Sequence, residues 1–186
     1  RDLTQPHAAD DLVRETGQVD ILVANLMLRN RRNLAAETSD DEWLAMFDIM
    51  VHPLHRLVRA VLPQMMARRK GKIVVMGSAN GLRGTVRRSA YSAARGAQLA
   101  YVRNTGMEVA PHGVNLNAIA QNWVTNPTSF TPEIMAQPDF QERLREVPLG
   151  RLAHGWESAA MALFLAGGES DFFFGQVFPF SGGWNA

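Results

Sequence analysis

Gly71-Lys72-Ile73-Val74-Val75-Met76-Gly77-Ser78-Ala79-Asn80-Gly81 is the stretch that decides the fold. A glycine suited to the left-handed position that closes a helix is followed within two residues by a β-branched apolar run. The run then ends on small and polar residues. The same order occurs twice more: Gly17 precedes Val19-Asp20-Ile21-Leu22-Val23, and Gly113 precedes Val114-Asn115-Leu116-Asn117-Ala118-Ile119. Apart from Asp20, the first two runs are continuously apolar. Strands of that kind are buried on both faces, as in a parallel sheet covered by helices.

The segments between the strands carry helical periodicity. Residues 41–68 place Trp43, Phe47, Met50, Leu54, Leu57, Val58, Val61, Leu62 and Met65 at steps of three and four. This predicts one long helix, opened by a Ser39-x-x-Glu42 capping box and kinked at Pro53. A second helix is predicted from about Ser89 to Ala110, its beginning crowded with Ala90, Ala93, Ala94, Gly96 and Ala97. Prolines 127, 132, 138 and 148 leave short helices near 132–136 and 138–146, and a last helix, 156–167, leads to a strand at about 175–180. Alternating helices and strands with right-handed crossovers define an α/β class, a Rossmann-like doubly wound parallel sheet. A sheet beginning at residue 19 leaves an edge uncovered. The expectation is therefore a single Rossmann-like domain over 1–186, with an N-terminal βαβ portion before Arg1 or a partner on that edge.

Composition narrows the function. The chain has 186 residues, 46% apolar, with 19 Lys plus Arg against 18 Asp plus Glu. A net charge of +1 lacks the basic excess of an electrostatically driven nucleic-acid binder. There is no cysteine, hence no disulfide, thiolate metal site or cysteine nucleophile. No apolar run reaches the roughly 18–20 residues that cross a bilayer. The expectation is a cytoplasmic protein with neither a nucleic-acid nor a membrane partner. The five histidines, at 7, 52, 55, 112 and 154, have no spacing that suggests a metal. Arg29-Asn30-Arg31-Arg32 and Arg87-Arg88 read as solvated charge clusters, and Gly81 with Gly84 has the wrong spacing for a phosphate loop.

In doubly wound sheets the site lies at the carboxyl ends of the strands. There, Ser78 follows the second apolar run, Tyr91 stands thirteen residues later near a helix start, and Arg95 lies one turn further on the same face. A free phenol titrates near pH ~10, so a tyrosine base working near neutrality needs its anion stabilised. Arg95 brings a permanent positive charge and the helix N-terminus a partial one. Tyr91 can then take a proton from a hydroxyl whose oxygen Ser78 holds.

On these residues the chain resembles the short-chain dehydrogenase/reductase superfamily, whose signature is a Ser and a Tyr-x-x-x-Lys on this strand and helix. Arg95 in the lysine position is similar to the halohydrin dehalogenases of that superfamily. Val51-His52-Pro53-Leu54-His55-Arg56, Ala90-Tyr91-Ser92, Ile119-Ala120-Gln121 and Val147-Pro148-Leu149-Gly150-Arg151-Leu152 resemble their B-type members. Other departures from the dehydrogenase pattern run the same way: Ala24-Asn25-Leu26-Met27 in place of Asn-Asn-Ala-Gly, Gln121-Asn122 in place of Pro-Gly, and Met50 in place of an asparagine.

The resemblance implies a cofactor-independent reaction. Tyr91 would deprotonate a vicinal haloalcohol and the alkoxide would displace halide to give an epoxide, with reverse opening by small anions. Ser78, Tyr91 and Arg95 are the implied catalytic residues. Gln121, Asn122, Trp123 and Phe130 would form the halide and substrate pocket, with main-chain N–H groups around Asn122 and Trp123 as an anion nest. Trp123 would obstruct a flat nicotinamide. The alternatives are an NAD(P)-dependent dehydrogenase or reductase, and a catalytically silent member. The superfamily implies a homodimer or homotetramer, with His52 and His55 near a subunit contact and the Trp184 tail either frayed or against a neighbouring subunit.

Overall fold

Strands β1 (Ile21–Ala24), β2 (Gly71–Ser78), β3 (Val114–Gln121) and β4 (Val177–Phe180) form one parallel sheet in the order β1-β2-β3-β4. They belong to a computed structural model that describes residues 1–28, 31–127 and 130–185. The helices are α1 (Ala8–Thr16), α2 (Asp40–Met50), α3 (His52–Arg68), α4 (Ser89–Val109), α5 (Pro132–Met135), α6 (Pro138–Leu144) and α7 (Gly155–Ala166).

The period-2 alternation of strand side chains explains why Ile73, Val74, Val75 and Met76 of β2 must all be apolar. Ile73 and Val75 join Leu54, Val58, Val61 and Met65 of α3 and Leu99, Val102 and Val109 of α4 in one buried cluster. Val74 and Met76 instead pack with Ile119 and with Leu165 of α7. Each fully buried side chain of this kind is worth roughly 1.5–3 kcal/mol relative to exposure. The doubly wound class read from the sequence is what forms. On β3, Asn115 and Asn117 interrupt the apolar run, and both are buried. Their Nδ2 atoms donate to the Phe173 carbonyl at 2.9 and 2.8 Å, while Asn117 Oδ1 accepts from Gln176 N at 2.9 Å. These amides fasten the chain that enters β4.

Three local expectations are corrected. The predicted long helix is two, broken at Val51 (φ −97°, ψ −54°), with Pro53 in the first turn of α3, where its missing N–H costs nothing. Only half of the capping box forms: Ser39 Oγ accepts from Glu42 N at 3.2 Å, but the Glu42 carboxylate is taken by Asn33 Nδ2 at 2.7 Å. Gly113 does take the left-handed position that closes a helical segment, yet after α3 that position is held by Arg69 (φ 52°) and Gly71 opens β2. Gly71 is needed for space, since a Cβ there would lie 2.4 Å from Met65 Sδ.

Met50 and Met65 are fully buried, as their helical spacing predicts, and so is Met46. Trp184 is neither frayed nor turned outward. It is 5% exposed within its own chain, donates from Nε1 to Glu146 at 3.0 Å, and lies under the Arg83 guanidinium 4.5 Å away. Among the described residues no helix is long and apolar enough to cross a membrane, and no cluster of His, Asp and Glu suits a metal. Arg29 and Asn30 of the first basic cluster lie outside the described residues.

Candidate active site

Ser78 is the last residue of β2, level in register with Gln121 at the end of β3, which in turn pairs with Phe180 of β4. The carboxyl ends of three strands therefore form one rim. Tyr91 and Arg95 stand over it on the first two turns of α4. That helix packs closely on the end of β2 because Gly81 touches its backbone: a Cβ on Gly81 would meet Arg95 C at 2.8 Å and Gly96 N at 2.9 Å.

Ser78 is buried, and its Oγ accepts from Asn80 N at 3.2 Å and from Asn80 Nδ2 at 3.3 Å. With both lone-pair directions engaged, the hydroxyl keeps its proton to offer. The guanidinium carbons of Arg95 and Arg88 lie 5.2 and 5.5 Å from the Tyr91 ring centroid. Burial pushes the Tyr91 phenol up. That effect is outweighed by the Arg95 charge, by hydrogen bonding from Ser78 and Arg95, and by the Arg88 charge, and the phenol ends below its ordinary value of 10.0. A hydroxyl donor, a phenol poised to exchange a proton, and a fixed cation thus meet at one point. The predicted Ser78, Tyr91 and Arg95 are together.

Of the other predicted site residues, Gln121 shares the rim with Ser78, while Asn122, Trp123 and Phe130 line cavities. Trp123 stacks on Phe130 with ring centroids 6.2 Å apart, and both meet Phe140 edge-on at 6.0 and 5.9 Å. Asn122 and Trp123, with Val147, Arg151, Phe180 and Ser181, line a cavity of about 270 Å³ whose described lining does not include Ser78, Tyr91 or Arg95. Phe130 lines a shallower cleft beside Thr125 and Pro132. One donor of the expected anion nest is taken. Asn122 N–H donates to the Phe180 carbonyl at 3.0 Å, extending the β3–β4 ladder, and Gln121 Oε1 accepts from Ser158 Oγ at 2.6 Å.

Trp123 carries the unusual backbone of this turn, with φ 57°. A left-handed aromatic residue costs about 1–2 kcal/mol. The turn is held by Ala153, whose N–H donates to the Trp123 carbonyl and whose carbonyl accepts from Thr125 N, both at 2.9 Å.

Two buried residues escaped the sequence reading. Asn80 orients Ser78, and Gln98, one turn beyond Arg95, accepts from Arg95 Nη1 at 2.9 Å. The signal for Asn80 was a polar residue two positions past the strand-end serine. That for Gln98 was an amide at i+3 from a buried arginine.

A parallel α/β sheet with a Ser-Tyr-Arg cluster on its carboxyl rim defines a class of small-molecule enzymes. Residues 2–185 match the family described as enoyl-(acyl carrier protein) reductase. The chain belongs to this family, within the short-chain dehydrogenase/reductase superfamily. It is similar to the 3-oxoacyl-(acyl-carrier-protein) reductase FabG of Vibrio harveyi, 33% identical over 169 residues, which are 91% of this chain and 68% of that relative. Among solved structures it is similar to one described as a dehalogenation enzyme (TM-score 0.88, 30% identity, 97% of this chain and 75% of that one). It is also similar to halohydrin dehalogenase HheC (TM-score 0.86, 27% identity, 94% and 72%).

The expected halohydrin dehalogenase activity is corrected. The family match and the FabG relatives describe reductases. The main-chain donor required of the halide pocket at Asn122 is spent inside the sheet.

A reductase of this superfamily implies a nicotinamide dinucleotide, and the residues present fit its reactive end. Arg95 Nε is buried with no hydrogen-bond partner among the described residues, beside the Tyr91 ring, so a donor remains for a cofactor hydroxyl.

Proposed function

We propose that this protein is an NAD(P)-dependent oxidoreductase that interconverts a carbonyl group and a secondary alcohol. The observation that carries the reading is the convergence of Ser78, Arg95 and a phenol held below its ordinary titration range at Tyr91.

In reduction, Ser78 turns the hydroxyl proton that otherwise faces Tyr91 to the substrate carbonyl oxygen and polarises it. Arg95 would hold the cofactor at the sugar hydroxyls next to its reactive ring, and the cofactor when bound supplies the hydride to the carbonyl carbon. Tyr91 delivers its phenolic proton to the oxygen, and Arg95 with Arg88 stabilises the phenolate left behind. In oxidation Tyr91 runs in reverse as the base. Arginine does the electrostatic part of the work at least as firmly as lysine, because it does not lose its charge.

The test is nucleotide consumption with a panel of 3-oxo esters and thioesters, run beside halide release from 1,3-dichloro-2-propanol without nucleotide. Ketone-dependent oxidation of NADPH or NADH is expected. Halide release with no nucleotide turnover would overturn the reading.

A further inference from the structure

Arg95 is 4% exposed, and among the described residues no carboxylate pairs with it. A buried guanidinium normally needs a counter-charge or a full set of acceptors. Here the acceptors are neutral. Nη1 donates to the Met76 carbonyl at 3.1 Å and to Gln98 Oε1 at 2.9 Å. Gln98 is itself 1% exposed, and its Nε2 donates to the Met50 carbonyl at 2.7 Å. The orientation of this amide is dictated. A carbonyl oxygen only accepts, so Nε2 must face Met50, and Oε1 is left for Arg95.

We propose that Gln98 is a positioning residue that fixes Arg95 against Tyr91 while leaving its positive charge uncompensated, so that the whole of that charge acts on the phenol. A carboxylate at this place would hold Arg95 equally well but would cancel its field. A neutral amide tied to the break between α2 and α3 holds it without that loss. Met50 thereby takes part through its backbone.

The groups around the phenol are few. Arg88 faces the ring from the segment before α4, with Arg143 and Arg32 acting on Arg88 from further out, and Ser78 approaches from β2. From α2, the apolar Met46, Phe47, Ile49 and Met50 share a cluster with the Tyr91 ring. No acid among them competes with Arg95 for control of Tyr91.

The inference rests on Tyr91 as the proton-exchanging group, but its test does not need turnover. The chain has two tyrosines, Tyr91 and Tyr101. In a Tyr101→Phe background, tyrosinate absorbance reports Tyr91 alone. Gln98→Glu is expected to raise the Tyr91 midpoint by about one pH unit or more, because an anion now sits on Arg95. Gln98→Met, close in volume, should raise it by less and guards against a variant that fails to fold. In an Arg95→Met background the Gln98→Met change should move nothing. An unmoved midpoint in both Gln98 variants, with folding intact by circular dichroism, would overturn the proposal. A shifted midpoint with an unshifted pH profile of alcohol oxidation would uphold Gln98's role and overturn the function assigned to Tyr91.

Discussion

Asn80 donates to the Ser78 hydroxyl oxygen twice, from its backbone N at 3.2 Å and from its side-chain Nδ2 at 3.3 Å. The pair converts a freely rotating hydroxyl into one whose proton has a single direction left. Asn80→Ala removes the side-chain half and frees the Thr85 hydroxyl that now donates to Asn80 Oδ1. We expect kcat to fall about 10-fold, from misplaced rather than lost chemistry. Steady-state kinetics would show this against an unchanged circular dichroism spectrum, and an unaltered kcat would remove Asn80 from the site.

Tyr91→Phe deletes the proton exchanger while keeping the ring that packs on α2. Loss of a general acid-base group lowers kcat by roughly 10²–10⁴. In the wild type, alcohol oxidation should rise with pH and level off above a midpoint lower than 10.0, because the phenol is held down by Arg95, Ser78 and Arg88 against the opposing effect of burial. The sign for stability follows. A phenol depressed in the folded state contributes stability at pH values above its folded midpoint and loses it as pH falls through that midpoint. The advantage of wild type over Tyr91→Phe in denaturant should therefore grow as the pH is raised toward 10.0.

Most of the fold was legible because burial on both faces leaves an apolar signature, seen in Ile73-Val74-Val75-Met76, that tolerates few alternatives. The break at Val51 was not. α2 and α3 present the same apolar period, so Pro53 read as a kink within one helix, whereas it opens α3 and Gln98 takes the Met50 carbonyl at the break. At the site, Ser78, Tyr91 and Arg95 were legible because chemistry fixes their types and spacing. The pocket was not. Whether the Asn122 N–H is free or spent depends on how far β4 runs alongside β3, and only folded register decides that.

Close packing of α4 against the chain entering β4 gives a prediction whose sign separates two effects. In an exposed helix, Gly→Ala stabilises by up to about 1 kcal/mol. At Gly106 the new Cβ would sit 2.4 Å from both Cα and N of Gly175 and 2.9 Å from the Leu116 carbonyl oxygen. Those are backbone atoms and cannot swing aside, so α4 must lift. Gly106→Ala should destabilise by about 1–3 kcal/mol, read from the urea midpoint. A stabilised variant would show that the helix and the turn at Gly175 are further apart than this geometry requires.

Glu157, at the start of α7, accepts both arms of Arg151, from Nη1 at 2.8 Å and Nη2 at 2.9 Å, and also the His154 N–H at 2.7 Å. The Arg151 hydrogen bonds, followed by that of the His154 backbone, lower its carboxyl from 4.5 to about 2. A carboxylate depressed on folding adds stability that is complete above its unfolded value and drains away as the pH falls through the folded one. The window is thus 4.5 down to about 2. Glu157→Gln should melt below the wild type at neutral pH, and the gap should narrow across that window. A gap independent of pH would mean that the side chain caps α7 by shape and hydrogen bonding alone, with its charge contributing nothing.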